Sequence, residues 1–198
     1  IWAAPTHVAG HVIDGAEPEA HWIADAAAGL VSAPWLVANV LVDEGWEPSG
    51  GELAWDNVIY GSEALGYVNA RHQRLDRRVG PALLTWYQAL GDRPEARAWL
   101  AAGDLAAMTG RCVADLARAH PEIRPWIREI AVQRWGHAMA IPTPAAHRNA
   151  GLARLRDAGG DLLFAHSDLS GYSIFEEAMH RGGLAAERAL RWLETGRR

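Results

Sequence analysis

"FAHSDLSGYSIFEEAMHRGG", Phe164–Gly183, reads as a short apolar strand, a tight polar turn and the start of a helix. Such a strand, turn and helix can receive an anion or an electron-rich ring edge, because the first N–H groups of a helix have no carbonyl partner and carry partial positive charge. The alternative is that Asp168 or Ser170 only caps the final helix. Either way, a strand feeding a helix near residue 170 marks the fold as mixed α/β.

Working outward, Leu162–Ala165 is expected as the last strand and Ser173–Glu194 as the last helix, with Ala178, Leu184, Ala185, Ala189 and Trp192 available for packing. Upstream, "REIAVQRW" reads as a strand ending at Gly136, and "IPTPAAHRNAG" as an irregular Pro-rich connection. Arg93–His120 is mostly helix, with Asp104 as an N-cap and Leu105, Met108, Cys112, Val113, Leu116 and Ala117 as one apolar stripe. Leu83–Ala89 and Pro34–Asp43 are rich in β-formers, and Trp55–Gln73 completes a strand, loop and strand meander. The Gly91–Pro94 cluster stops the β-structure. Ile1–Ala4 reads as a buried strand closed by Pro5, followed by helical spacing over His7–Ile13 and Glu17–Leu30, with Pro18 in a first turn.

Composition limits the classes. With 198 residues, 49% of them hydrophobic, the chain can bury one substantial core. The net charge is -5 and the 19 basic residues are all arginine and scattered, which argues against nucleic acid. The absence of lysine beside abundant Ala, Gly and Arg reads as the bias of a GC-rich bacterial genome. Cys112 is the single cysteine, so no internal disulfide is possible and a reducing, cytoplasmic setting is expected. No apolar run approaches the length of a membrane span. The opening "IWAAPTHVAG", without a methionine, reads as a fragment or processed chain.

His7 and His11 stand one helical turn apart, but Val8 occupies the place of the zincin glutamate, and no metal is expected. His72, His120 and His147 read as surface or core residues. His166, Ser167 and Asp168 are adjacent in an extended turn and lack a G-x-S-x-G elbow, which argues against a hydrolase. Trp135 and Gly136 offer close backbone approach. Trp55, Tyr60, Tyr67, Trp86 and Tyr87 line either a core or an aromatic pocket, with core favoured.

Taken together, "IWAAPTHVA", "PWLVANVLVD", "WDNVIYGSEALGYVNARHQ", "RWGHAM" and "LLFAHSDLSGYSIFEEAMHRGGLAAERAL" resemble the C-terminal portion of FAD-dependent oxidoreductases of the flavin amine oxidase superfamily. The resemblance spans nearly the whole chain. It implies a helix near Gly171 that returns to the flavin, with FAD contacts from Asp168, Ser167, Gly171, Tyr172, Ser173 and Ile174 and further contacts from Trp135, Gly136 and Pro5. Where the family's turn has Gly before an acidic residue, this chain has His166 and Ser167 before Asp168. The family's G-A-x-x-S-G helix is here Glu177–Gly182, keeping Ala178 and Gly182. A lysine that many amine-oxidising members carry is absent from Leu36–Leu41, and the substrate stays open.

The implied organisation is a substrate-domain-like region over residues 1–160, whose strand 1–4 belongs with the FAD domain, and an FAD-binding strand-turn-helix over 161–198. The sheet is mixed or antiparallel and covered by helices. The implied activity is hydride transfer from a small-molecule substrate to FAD, dependent on a missing N-terminal domain that carries G-x-G-x-x-G, with the catalytic residues unknown. The alternative is a ligand-binding or interaction domain that keeps the substrate fold without flavin. An apolar seam where the missing domain would sit, and self-association as a homodimer through it, are expected.

Overall fold

Trp35, Val37, Asn39 and Leu41 alternate with Leu36, Ala38, Val40 and Val42, and this period of two makes a strand with one buried and one half-buried face. In the computed structural model, which describes residues 1–13, 15, 20–50, 52–73, 80–91, 93 and 95–195, that strand is β1, Val31–Val42. It lies in a five-stranded sheet of order β2-β3-β4-β1-β5, where β2 is Asp56–Asn57, β3 Gly66–Asn69, β4 Ala82–Ala89 and β5 Ile127–Ile141. The β1–β4, β3–β4 and β2–β3 pairs are antiparallel. The fold is therefore mixed α/β with an antiparallel sheet covered by helices, as expected.

The chain divides into two units: residues 1–32 with 139–198, and residues 33–138. The boundary expected at 160 falls inside the first of these. The second unit holds the sheet together with α3, Ala96–Ala102, and α4, Leu105–Ala119. One sheet face, with Leu36, Ala38, Val40, Val42, Leu84 and Trp86, shares a core with Leu100, Met108, Cys112 and Leu116. Asp104 caps α4 by accepting the Ala107 N–H, as expected. Leu105 leaves the expected stripe and is exposed, because at the first helical position it precedes the buried turn. Asp115 joins α4 to the sheet and its flanking loop by accepting the Trp86 Nε1–H at 2.8 Å and the Ser62 hydroxyl at 2.6 Å.

The first unit holds α1, Thr6–Val12; α2, Ala20–Gly29; α5, Pro144–His147; α6, Ala150–Asp157; and α7, Phe175–Thr195. Its core joins Ala9, Ile23 and Ala26 to Leu152, Leu155, Phe164 and Leu169. Three expectations are corrected here. The Pro-rich connection contains α5 and the start of α6, because Thr143 and Asn149 accept the N–H groups of Ala146 and Leu152 as N-caps. Ile1–Ala4 and Leu162–Ala165 are not full strands: they meet through a parallel bridge between Trp2 and Phe164, and Ile1 is exposed. The strand expected to stop at Gly136 continues through it to Ile141, since glycine there costs propensity without breaking the ladder. Pro18, Asp92 and Pro94 lie outside the described residues.

Candidate functional site

The site is assembled in the first unit by the segment that follows Phe164. Trp2 fixes its start, donating its N–H to the Leu163 carbonyl at 2.7 Å and accepting that of Ala165 at 2.8 Å. A 3-10 turn over Ser167–Leu169 follows, closed by Ser170 and Gly171 N–H bonds to the carbonyls of Ser167 and Asp168. Gly171 has φ +76, a left-handed conformation that glycine takes without Cβ strain, and it turns the chain towards α7.

Asp168 is buried and does not cap α7. Its Oδ2 accepts the Thr6 N–H at 2.8 Å, so it serves the first turn of α1, just after Pro5. His166 Nδ1 accepts the Asp168 N–H at 3.1 Å and lies 3.2 Å from Oδ1. Burial pushes the Asp168 carboxyl up, but the nearby His166 ring and the Thr6 N–H bond prevail and hold it below its ordinary value. Ser170 sends its hydroxyl to the Ser167 carbonyl. Ser173 Oγ accepts the Ala140 N–H at 2.8 Å.

Around the start of α7, Tyr172, Ile174, Phe175 and Met179 are exposed, Phe175 to 75%. The first turn of α7 carries Glu176 and Glu177, and Glu177 pairs with Arg181 at 2.7 Å. Two carboxylates at the positive end of the helix disfavour a pyrophosphate there. Apolar, partly aromatic side chains beside the first N–H groups of a helix, which have no intrahelical partner, suit a planar ring with a carbonyl edge.

The other residues singled out from the sequence belong to the second unit. Trp135 is 52% exposed on β5, and the Gly136 carbonyl accepts the Arg97 Nε–H at 2.8 Å. Of the aromatics, Tyr67 and Trp86 are core, whereas Tyr60 and Trp55 are exposed. Tyr87 belongs to neither group, for it stacks on Trp35 at 5.9 Å on the sheet face turned away from α4. That face runs in register through Trp35 and Ala89, Val37 and Tyr87, Asn39 and Thr85, and Leu41 and Leu83. At its centre the Thr85 hydroxyl donates to Asn39 Oδ1 at 2.8 Å, and at its edge the Tyr87 hydroxyl donates to Asp56 at 3.0 Å. This surface of apolar groups with one central amide was not read from the sequence. The alternation in β1 was the available signal, and what hid it was that both faces of that strand are largely apolar.

Compared as a sequence, the chain matches no family model and no curated protein. Compared as a fold, it is similar to cyclohexylamine oxidase from Brevibacterium oxydans IH-35A, with a TM-score of 0.70 and 18% identity. The match covers 97% of this chain and 42% of that one, so the chain spans less than half the length of the structure it resembles. The two share a fold across almost every residue described above.

Proposed function

We propose that this chain is part of a flavin-dependent oxidoreductase, in which the Phe164–Phe175 segment of the first unit meets FAD. The supporting observation is the fold likeness to an amine oxidase over 97% of the chain, joined to the exposed, N–H-bearing turn where the sequence resembles the family's flavin element. When bound, FAD supplies the hydride acceptor. This chain's residues orient and exclude water: Tyr172, Ile174 and Phe175 would lie against the ring system, and the α7 N–H groups would face its carbonyl edge. Asp168 acts through Thr6, holding the Pro5 turn and the flavin loop together, and is a positioning residue.

The ADP half of FAD ordinarily sits on a G-x-G-x-x-G loop, which these 198 residues do not contain. The substrate is a small molecule that donates hydride from a C–H or C–N centre. The name of the structural neighbour makes cyclic amines the first compounds to try. Self-association of the flavin-free chain through the exposed Tyr172–Met179 surface belongs to the same reading, and light scattering that reports only monomer would remove it.

The test is an absorbance spectrum of the full-length oxidoreductase of which this chain would be part, before and after FAD is added, followed by anaerobic titration with cyclic amines. Flavin bands that bleach on substrate addition are expected. The variant Gly171→Val, which puts a β-branched residue at φ +76, should lose most flavin uptake. A protein that stays colourless with excess FAD yet binds apolar amines would establish the flavin-free binding domain instead. The two carboxylates in the first turn of α7 favour that second reading.

A further inference from the structure

Among the described residues, three buried side-chain nitrogens lack a hydrogen-bond partner, and the His120 Nδ1 is the one of these that can change its charge. The ring is 4% exposed. It ends α4, where its backbone N–H reaches the Leu116 carbonyl. On one side its Nε2 meets the Tyr67 hydroxyl at 2.5 Å. On the other, Nδ1 lies 3.8 Å from Glu122 Oε1, too long for a hydrogen bond. The Trp46 indole stands edge-on to the ring at 5.2 Å.

Glu122 is meanwhile occupied by a single turn of chain. Its Oε1 accepts the Trp46 Nε1–H at 3.3 Å and the Ser49 N–H at 3.0 Å, and its Oε2 accepts the Ser49 hydroxyl at 2.5 Å. One carboxylate thus holds the Trp46–Ser49 turn, and that turn walls a pocket of about 460 Å³ lined also by Leu53, Trp55, Asn69 and His72.

We propose that His120 and Glu122 form an acid-released latch on the Trp46–Ser49 turn of the second unit. The tautomer follows from the neighbours. A Tyr67 hydroxyl that donates to Nε2 leaves the hydrogen on Nδ1, facing a carboxylate; the reverse tautomer would aim a lone pair at that carboxylate. In the neutral state Glu122 serves the turn. A proton added at Nε2 turns Tyr67 into an acceptor and places a full positive charge beside Glu122 at low dielectric. Closing the 3.8 Å gap to a hydrogen-bonded length of about 2.8 Å draws the carboxylate off Trp46 and Ser49. The turn loses its three bonds together, and the pocket opens.

The groups that face the imidazole are the Tyr67 phenol from β3, the Glu122 carboxylate from the turn after α4, and the uncharged Trp46 indole. Burial lowers the imidazole's proton affinity and Glu122 raises it, with burial the larger. Hydrogen bonds from Ser49 and Trp46 outweigh the burial of Glu122 and bring its carboxyl to about 2, so it stays ionised throughout. The latch is independent of flavin and stands or falls without the preceding reading.

The test follows His120 by ¹⁵N NMR and the Ser49 amide by hydrogen exchange as the pH is lowered. The neutral ring should be the Nδ1–H tautomer and should titrate below the ordinary value of about 6.5. The Ser49 exchange rate, divided by its intrinsic rate, should rise about tenfold or more with the same midpoint. His120→Gln should remove that acid step while keeping Ser49 protected at neutral pH, and Tyr67→Phe, which takes the acceptor from the protonated Nε2–H, should move the midpoint to lower pH. The latch is refuted if Ser49 exchange is flat through the His120 titration or rises equally in His120→Gln. A His120 that stays neutral until the unit unfolds refutes it as well.

Discussion

At the scale of single residues, Asp168 shows how a position can be singled out correctly and its partner missed. The sequence marks it as an acceptor beside a helix. Its partner is the N–H of Thr6, 162 positions away, which no local pattern records. Asp104 was legible because its partner is three positions on. Replacing Asp168 by Ala leaves a buried N–H unpaired and should cost about 1–3 kcal/mol in urea denaturation, whereas Asn, which keeps a carbonyl acceptor, should recover part of that. Since the folded carboxyl titrates below its ordinary value, its contribution is complete above about 3.9 and is lost as the pH falls through the lower, folded value. Unfolding midpoints across that acid range should therefore converge for wild type and Asp168→Asn.

At the scale of elements, the helices that were read are those with a long apolar stripe, and the ones missed are short and announced by turn residues. Pro144 and the caps Thr143 and Asn149 are the residue types that also make loops, so α5 and the start of α6 were hidden by their own start signals. Packing decided the matter: a Cβ at Gly151 of α6 would meet the Ala26 nitrogen at 2.5 Å and the Trp22 carbonyl oxygen at 2.6 Å, so α6 rests directly on the backbone of α2. Gly151→Ala, normally favourable in a helix by about 1 kcal/mol, should here lower stability, measured as a fall in thermal midpoint. In α4 the buried Leu116 and the exposed Leu105 should separate by the same criterion, with Leu116→Ala costing about 2–5 kcal/mol and Leu105→Ala close to nothing.

At the scale of the whole molecule, the fold class was legible because alternation in β1 and β4 and the stripe of α4 are both strong. The division into units was not, since the second unit interrupts the first and no composition shift marks residues 32 or 138. The candidate site shares this property, for Pro5 and Thr6 come from one segment of the first unit and the Ser167–Phe175 stretch from the other. Residues 33–138, expressed alone, should give a cooperative unfolding transition and a dispersed NMR spectrum. Residues 139–198 alone should not, because Leu152, Leu155 and Leu169 would lack Ala9, Ile23 and Ala26.

The parallel bridge between Trp2 and Phe164 has a bearing on biosynthesis. A ribosome releases α1 and α2 early, yet the segment that covers them emerges only after the whole sheet has been made. Closing so long a span is slow from an unstructured chain, and a sheet that folds first shortens the distance to be searched. Until then the apolar sides of α1 and α2 wait uncovered in the nascent chain, a target for chaperones and for aggregation.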